Sequence, residues 1–301
     1  MACIIKPGFT GWARLESTPD PFYIRFNSCT LNATQEVVAP DMVMGDYTHN
    51  AWAHGKIEVG GALSGPITEN SMQFLNAIWY DDFTTDFCDY SNDIIVKYYD
   101  GYTRLFKGMV ANSVTFNVTA GEVVNFTLEL MGTGFETLPD TSYMSSAYDL
   151  TYTSKLVTWD KSAMYVGNRR TTNTGFTELT TLQSFNITIT RNVTRQFKIQ
   201  ASNLFGDLVQ GMSAITGTCV AFDMKTGVGF AARDGAGSGV YHWDEYLNDY
   251  FWPIKFNIGD YEVGGTVVFH RATSELSATP VLTTMGFTGV GHYSFGDISP
   301  A

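Results

Sequence analysis

The sequence predicts a mainly β protein with two tandem β-sandwich or barrel domains, each carrying a short helix. Three observations predict it: strict alternation of apolar and polar residues, an aromatic content of 14%, and an internal repeat. The clearest alternation is SVTFNVTAGEVVNFTLELMG, residues 113–132. Val114, Phe116 and Val118 fall on one face, and Val124, Phe126, Leu128 and Leu130 do the same after Ala120-Gly121-Glu122. A period of two with a short Gly-containing link is the pattern of a hairpin with one buried side. The polar positions are Ser, Thr and Asn rather than Lys and Glu, so these sheet faces are neutral.

The repeat is read from three matches in one order. Phe26-Asn27 matches Phe185-Asn186 at an offset of 159, Gly61 matches Gly217 at 156, and Met131-Gly132 matches Met285-Gly286 at 154. The offset drifts in one direction, as loop deletions would make it. Each half then has one plan. A strand pair opens it, at 24–38 and 184–201, and a loop follows, at 39–55 and 202–211. The next strand is 56–64 or 212–222. A helix comes next: Pro66 starts the first, with Met72, Leu75, Ile78 and Trp79 at helical spacing. The second spans 238–252, with Tyr241, Tyr246, Leu247 and Tyr250. Strands at 93–131 and 253–286 close the halves. Residues 132–149 are rich in Ser, Thr, Gly and Pro and read as a linker, giving domains at 1–140 and 150–301.

Composition bounds the function. A net charge of −12 argues against holding a nucleic-acid backbone, and Arg169-Arg170 is the one basic doublet, read as a solvated loop. Cys3, Cys29, Cys88 and Cys219 lack metal or disulfide spacing and predict free thiols. No leader-like segment opens the sequence and no apolar run reaches bilayer length, so a soluble chain made in a cytoplasm is expected. Asn-x-Thr triplets at Asn32, Asn117, Asn125, Asn186 and Asn192 are read as by-products of Thr-rich strands.

Chemistry is sparse. His49 and His54 lie five apart in a loop, and His242-Trp243-Asp244-Glu245 reads as the solvated side of an amphipathic segment. The run holding Asp81, Asp82, Asp86, Asp89 and Asp93 lacks the order and the Gly of a calcium loop. The Gly-rich stretch 226–240 lacks the phosphate-loop order, and no nucleophile motif is present. The expectation is no enzyme, no metal and no cofactor.

The strands RFNSCTLNATQEVV and SFNITITRNVTRQF, the hairpin at 111–134 and SKLVTWDKSAMYVGNRR at 154–170 resemble the tail tube (major tail) proteins of tailed bacteriophages. That resemblance implies a structural virion protein of the phage tail, made in the host bacterial cytoplasm. Sheets would join edge to edge around a channel, and rings would stack into a hollow tube. The tape-measure protein and then DNA would pass through without specific binding, and terminator and tip proteins would bind the ends. The long loop would reach the next ring through Asp41, Met44, Tyr47, His49, Trp52 and His54, with Asn203, Leu204 and Asp207 in its counterpart. The acidic loop of Asp81, Asp82, Asp86 and Asp89 reads as solvated or as facing the lumen. Two tube domains per chain favour a trimeric pseudo-hexamer over a hexamer. Other readings of the same composition are a neck, sheath-like or capsid-decoration protein, or a carbohydrate-binding protein using Trp52, Trp79, Trp159, Trp243 and Trp252.

Overall fold

The computed structural model describes residues 11–15, 23–38, 53–79, 92–98, 103–137, 155–167, 176–197, 207–222, 251–275 and 282–297. The first half runs β1 (Gly11–Leu15), β2 (Tyr23–Phe26), β3 (Ser28–Cys29), β4 (Asn32–Val38) and β5 (Ala53–Pro66). Then come α1 (Glu69–Ile78), β6 (Asn92–Tyr98), β7 (Thr103–Thr119), β8 (Asn125–Gly132) and β9 (Gly134–Thr137). The second half holds β10 (Ser162–Val166), β11 (Thr177–Glu178), β12 (Leu182–Thr190), β13 (Thr194–Gln196) and β14 (Asp207–Val209). It ends with β15 (Ala214–Phe222), β16 (Trp252–Ile258), β17 (Tyr261–Glu275) and β18 (Leu282–Asp297). The chain is mainly β, as its alternation predicts.

The hairpin read from residues 113–132 forms as β7 and β8. Phe116 stands opposite Phe126, and Val114 opposite Leu128. The apolar positions of both strands are buried, and Gly121 supplies the positive φ (87°) of the connecting turn. β7 is long enough to serve two layers. Its first part pairs with β6 and β9, its last part with β8 and β12.

Pairing in the first half follows β2–β1–β6–β7–β8–β5, and β5 then takes β3 and β4. Residues 23–38 thus leave one end of this series and rejoin the other, so the strands close around apolar side chains. The second half follows the same order, β11–β10–β16–β17–β18–β15–β12. The halves are joined by β7 and β12, antiparallel from Ser113↔Thr190 to Thr119↔Ser184. Val157 adds a second tie: its N–H donates to Ile67 O, and its carbonyl accepts from Val124 N, both at 2.9 Å. One core cluster accordingly contains residues of both halves, from Phe26 and Phe116 to Phe256 and Phe287.

α1 is capped by a reciprocal pair: Ser71 N donates to Thr68 Oγ1 at 3.2 Å, and Thr68 N to Ser71 Oγ at 2.7 Å. Met72, Leu75, Ile78 and Trp79 are buried, as the helical spacing predicts, and Phe74 is buried with them. The helix expected over 238–252 lies outside the described residues up to 250, and Trp252 opens β16 instead. The linker reading of 132–149 needs correction at its start, because residues 134–137 are strand β9. Phe135 lies against Phe106 (ring centroids 5.5 Å apart) and Glu136 pairs with Lys107 at 2.7 Å. Four residues are too few for a period to show in sequence. The loop readings also shorten: residues 53–55 belong to β5 and 207–209 to β14.

Candidate functional site

The alternation that buries one side of the shared sheet sets neutral polar residues on the other. Strand registers align them into rows. One row runs Ser64, Thr127, Thr115, Thr188, Thr216 and Thr288, across β5, β8, β7, β12, β15 and β18. Six strands at ordinary spacing make this row about 24 Å wide. The next row is Asn125, Asn117, Asn186, Thr218 and Gly286. On its other side stand Ala62, Glu129, Ser113, Thr190 and Ala214. Glu129 is the one charged residue of the three rows. Cross-strand bonds satisfy the hydroxyls: Thr115 and Thr188 join Oγ1 to Oγ1 at 2.8 Å across the junction of the halves. Ser113 Oγ donates to Glu129 Oε2 at 2.9 Å. Such a surface wets readily and offers a phosphate chain no cation to bind.

Beyond β12 the chain turns at Asn192 (φ 52°) into a hairpin arm, β13 and β14, that lies on the first half. Val193 and Leu208 pack with Val110 and Met131. Val193 N donates to Asn112 Oδ1 at 2.9 Å, and Arg195 Nη2 donates to Val59 O at 2.6 Å. Nearby, Lys56 Nζ pairs with Glu58 at 2.9 Å and sits 5.0 Å from the Phe197 ring centroid. The hydrogen bond from Lys56 holds the Glu58 carboxyl below its ordinary value and raises the ammonium. Arg191 locks the halves from beneath. Its buried guanidinium donates to Trp79 O at 2.9 Å and lies 4.6 Å from the Trp79 ring centroid, at the C-terminal end of α1.

The halves share details at fixed separation. Ala62 N donates to Thr30 Oγ1 at 2.9 Å, and Thr218 N to Asn186 Oδ1 at 2.8 Å, each partner 156 residues from its counterpart. A Cβ on Gly61 would come within 2.4 Å of Thr30 O, and one on Gly217 within 2.2 Å of Asn186 O. Bulges fall at Asn112 in β7 and at His270 in β17, 158 residues apart. In this register the Phe-Asn and Met-Gly sequence matches each sit three residues out of place. Phe26 pairs with Gly11 in β1, whereas Phe185 pairs with Cys219 and Val118.

The sequence profile described as phage tail tube protein matches residues 8–223, well over half of the chain. The chain belongs to the phage tail tube protein family. The family is structural rather than enzymatic, so the chain is a structural component of a phage tail. No curated protein matches it. The matched span runs from just before β1 through β15 and so crosses the junction of β7 with β12.

The site residues read from sequence fall mostly outside the described residues: Asp41, Met44, Tyr47, His49, Trp52, Asn203 and Leu204, and also Asp81, Asp82, Asp86 and Asp89. His54 lies in β5, opposite Val37, and Asp207 in β14, opposite Gln196. Asp93 has a structural part, its Oδ1 accepting from Gly108 N at 2.9 Å. Among the described residues no three His, Cys, Asp or Glu side chains group as a metal site would require. Neither Cys29 nor Cys219 is in a disulfide, and burial pushes the Cys219 thiol up to about 12. The neutral Ser, Thr and Asn faces were legible in the sequence, but their alignment into rows was not, although the Asn-x-Thr triplets carried a trace of it. Three of those five Asn, at 117, 125 and 186, form one row on adjacent strands.

Proposed function

We propose that the chain polymerises into stacked rings that form the hollow tail tube, with the Thr- and Asn-lined sheet face toward the channel. The observation that carries this reading is the single sheet running through both halves across β7 and β12, with Glu129 as the one charge in the polar rows that cross its six strands. DNA sliding through such a channel meets hydroxyls, amides and a few carboxylates, and no row of cations that would hold its phosphates. The acidic loop of Asp81, Asp82, Asp86 and Asp89 faces the same lumen and adds repulsion.

Each half acts as one tube domain of a duplicated pair, at 1–140 and 150–301. The shared pairing order and the hydrogen bonds 156 residues apart support this. With both halves in one ring, three chains make a pseudo-sixfold ring. Residues 39–52 bridge to the adjoining ring, the tape-measure protein occupies the channel before DNA, and terminator and tip proteins bind the tube ends. Electron microscopy of the purified chain at high concentration, with mass per ring from the same particles, tests the reading. Stacked rings of three chains with a central channel are expected. Chains that stay dispersed even on a tail initiator complex would overturn it.

A further inference from the structure

The internal junction has two halves, and each has a counterpart left open. β12 meets β7 inside the chain. The counterpart of β12 is β3 and β4, since Thr30 and Asn186 hold equivalent hydrogen bonds. The counterpart of β7 is β17, since the bulges at Asn112 and His270 coincide. Among the described residues, β4 has β5 as its one strand partner, and residues 271–275 of β17 have β18 as theirs. An antiparallel strand edge without a neighbour is a template for another chain.

A second observation shows what is missing from β4. Val193 follows the positive-φ turn at Asn192 just after β12 and is 4% exposed, covered by Val110 and Met131 of the other half. Val37, 156 residues earlier, follows a register shift between β4 and β5 at the position that corresponds to Asn192 and is 62% exposed. The counterparts of Val110 and Met131 are Val268 and Thr288, which face each other in β17 and β18 as Val110 and Met131 do in β7 and β8.

We infer that a second copy of this chain closes the contact: its β4 pairs antiparallel with β17 in the register of the internal junction, and its Val37 is buried on Val268 and Thr288. The register follows from the two offsets. Thr115↔Thr188 becomes Thr273↔Asn32, and Ser113↔Thr190 becomes Arg271↔Thr34. The sheet then continues from chain to chain, the row that ends at Gly286 passing through Arg271 to Thr34 of the second copy. This rests on the ring reading proposed above and adds to it a named edge, a register and an apolar contact.

Paired cysteines test the register. Residues directly opposite on antiparallel strands have Cα atoms about 4.5–5.5 Å apart, within reach of a disulfide. Oxidised assemblies of the Asn32→Cys, Thr273→Cys variant should give a ladder of covalent oligomers ending at the number of chains per ring. The single variants, and Asn32→Cys combined with Ala272→Cys, should give none. Rings that form without the ladder would overturn the register while leaving the tube reading intact. Wild-type chains that never assemble, even on an initiator complex, would remove both. Val37→Asp is the second variant: its exposed position predicts a monomer with unchanged melting that has lost assembly. Assembly at the wild-type level would overturn the contact.

Discussion

Thr115 and Phe116 are consecutive in β7 and belong to opposite faces of one sheet. Phe116 is fully buried, between Phe126 on β8 and Ile187 on β12. Thr115 stands between Thr127 and Thr188, bonded to the latter and half open to solvent. Both residues span the junction of the two halves, so the sheet is welded twice, once by apolar packing and once by hydroxyls. The difference teaches which face holds the protein together. The apolar face carries the stability, which leaves the chemistry of the polar face free to suit what passes over it.

The largest effect is therefore expected on the inner face. Phe116→Ala should destabilise the chain by about 3–5 kcal/mol, the usual cost of removing a fully buried ring. Thr115→Ala should cost less than about 1.5 kcal/mol, the net worth of a hydroxyl hydrogen bond. Denaturant unfolding of both variants checks the contrast, and equal losses would break it.

Next in size is the lock beneath the junction. Arg191→Met keeps much of the apolar stem but removes the hydrogen bond to Trp79 O and the charge at the α1 C-terminus. A loss of about 1.5–3 kcal/mol is expected, the range for hydrogen bonds to charged groups. The same denaturant measurement reads it. A neutral substitution would mean that the guanidinium contributes nothing net across the two halves.

A smaller pair sharpens the comparison of the halves themselves. Thr30→Ala and Asn186→Ala each delete the side-chain acceptor for one backbone N–H, at 2.9 and 2.8 Å. Each should cost about 0.5–1.5 kcal/mol. Similar values in thermal unfolding would support a common plan, and a wide difference would count against it.

Legibility in the sequence followed the range of each interaction. The hairpin of β7 and β8 and the helix at 69–78 were readable because their periods are local: Phe116 and Phe126 lie ten residues apart. The strand carrying Phe185, Ile187 and Ile189 was readable as half-buried, yet nothing in it says that it joins β7 about seventy residues earlier. Register between distant strands is set by packing, and period-two patterns fit several registers equally. This is also why the Gly61 and Gly217 match lay in register, since each glycine is forced by a close backbone approach. The Phe-Asn and Met-Gly matches rested on residue identity alone and slipped by three. The contact of Arg191 with Trp79, 112 residues apart, had no signal in the sequence.

The smallest effect belongs to the charged margin of the polar face. Glu58 shares its face with Ser64 and pairs with Lys56, and Arg195 of the second-half arm lies 3.9 Å away. The hydrogen bond from Lys56 lowers the Glu58 carboxyl, so this group stabilises the fold above its unfolded value and loses that contribution as pH falls through the folded one. For Lys56, raised first by the same bond, the contribution is complete below the unfolded value and lost as pH rises through the folded one. The pair therefore acts between the carboxylate and ammonium ranges, and both side chains are about two-fifths exposed, where screening leaves little. The stability difference between the wild type and Glu58→Gln should be slight at neutral pH. It should vanish toward acid pH and shrink in high salt. A difference that persisted unchanged below the carboxylate range would mean that Glu58 acts through packing, and the polar face would then carry stability of its own.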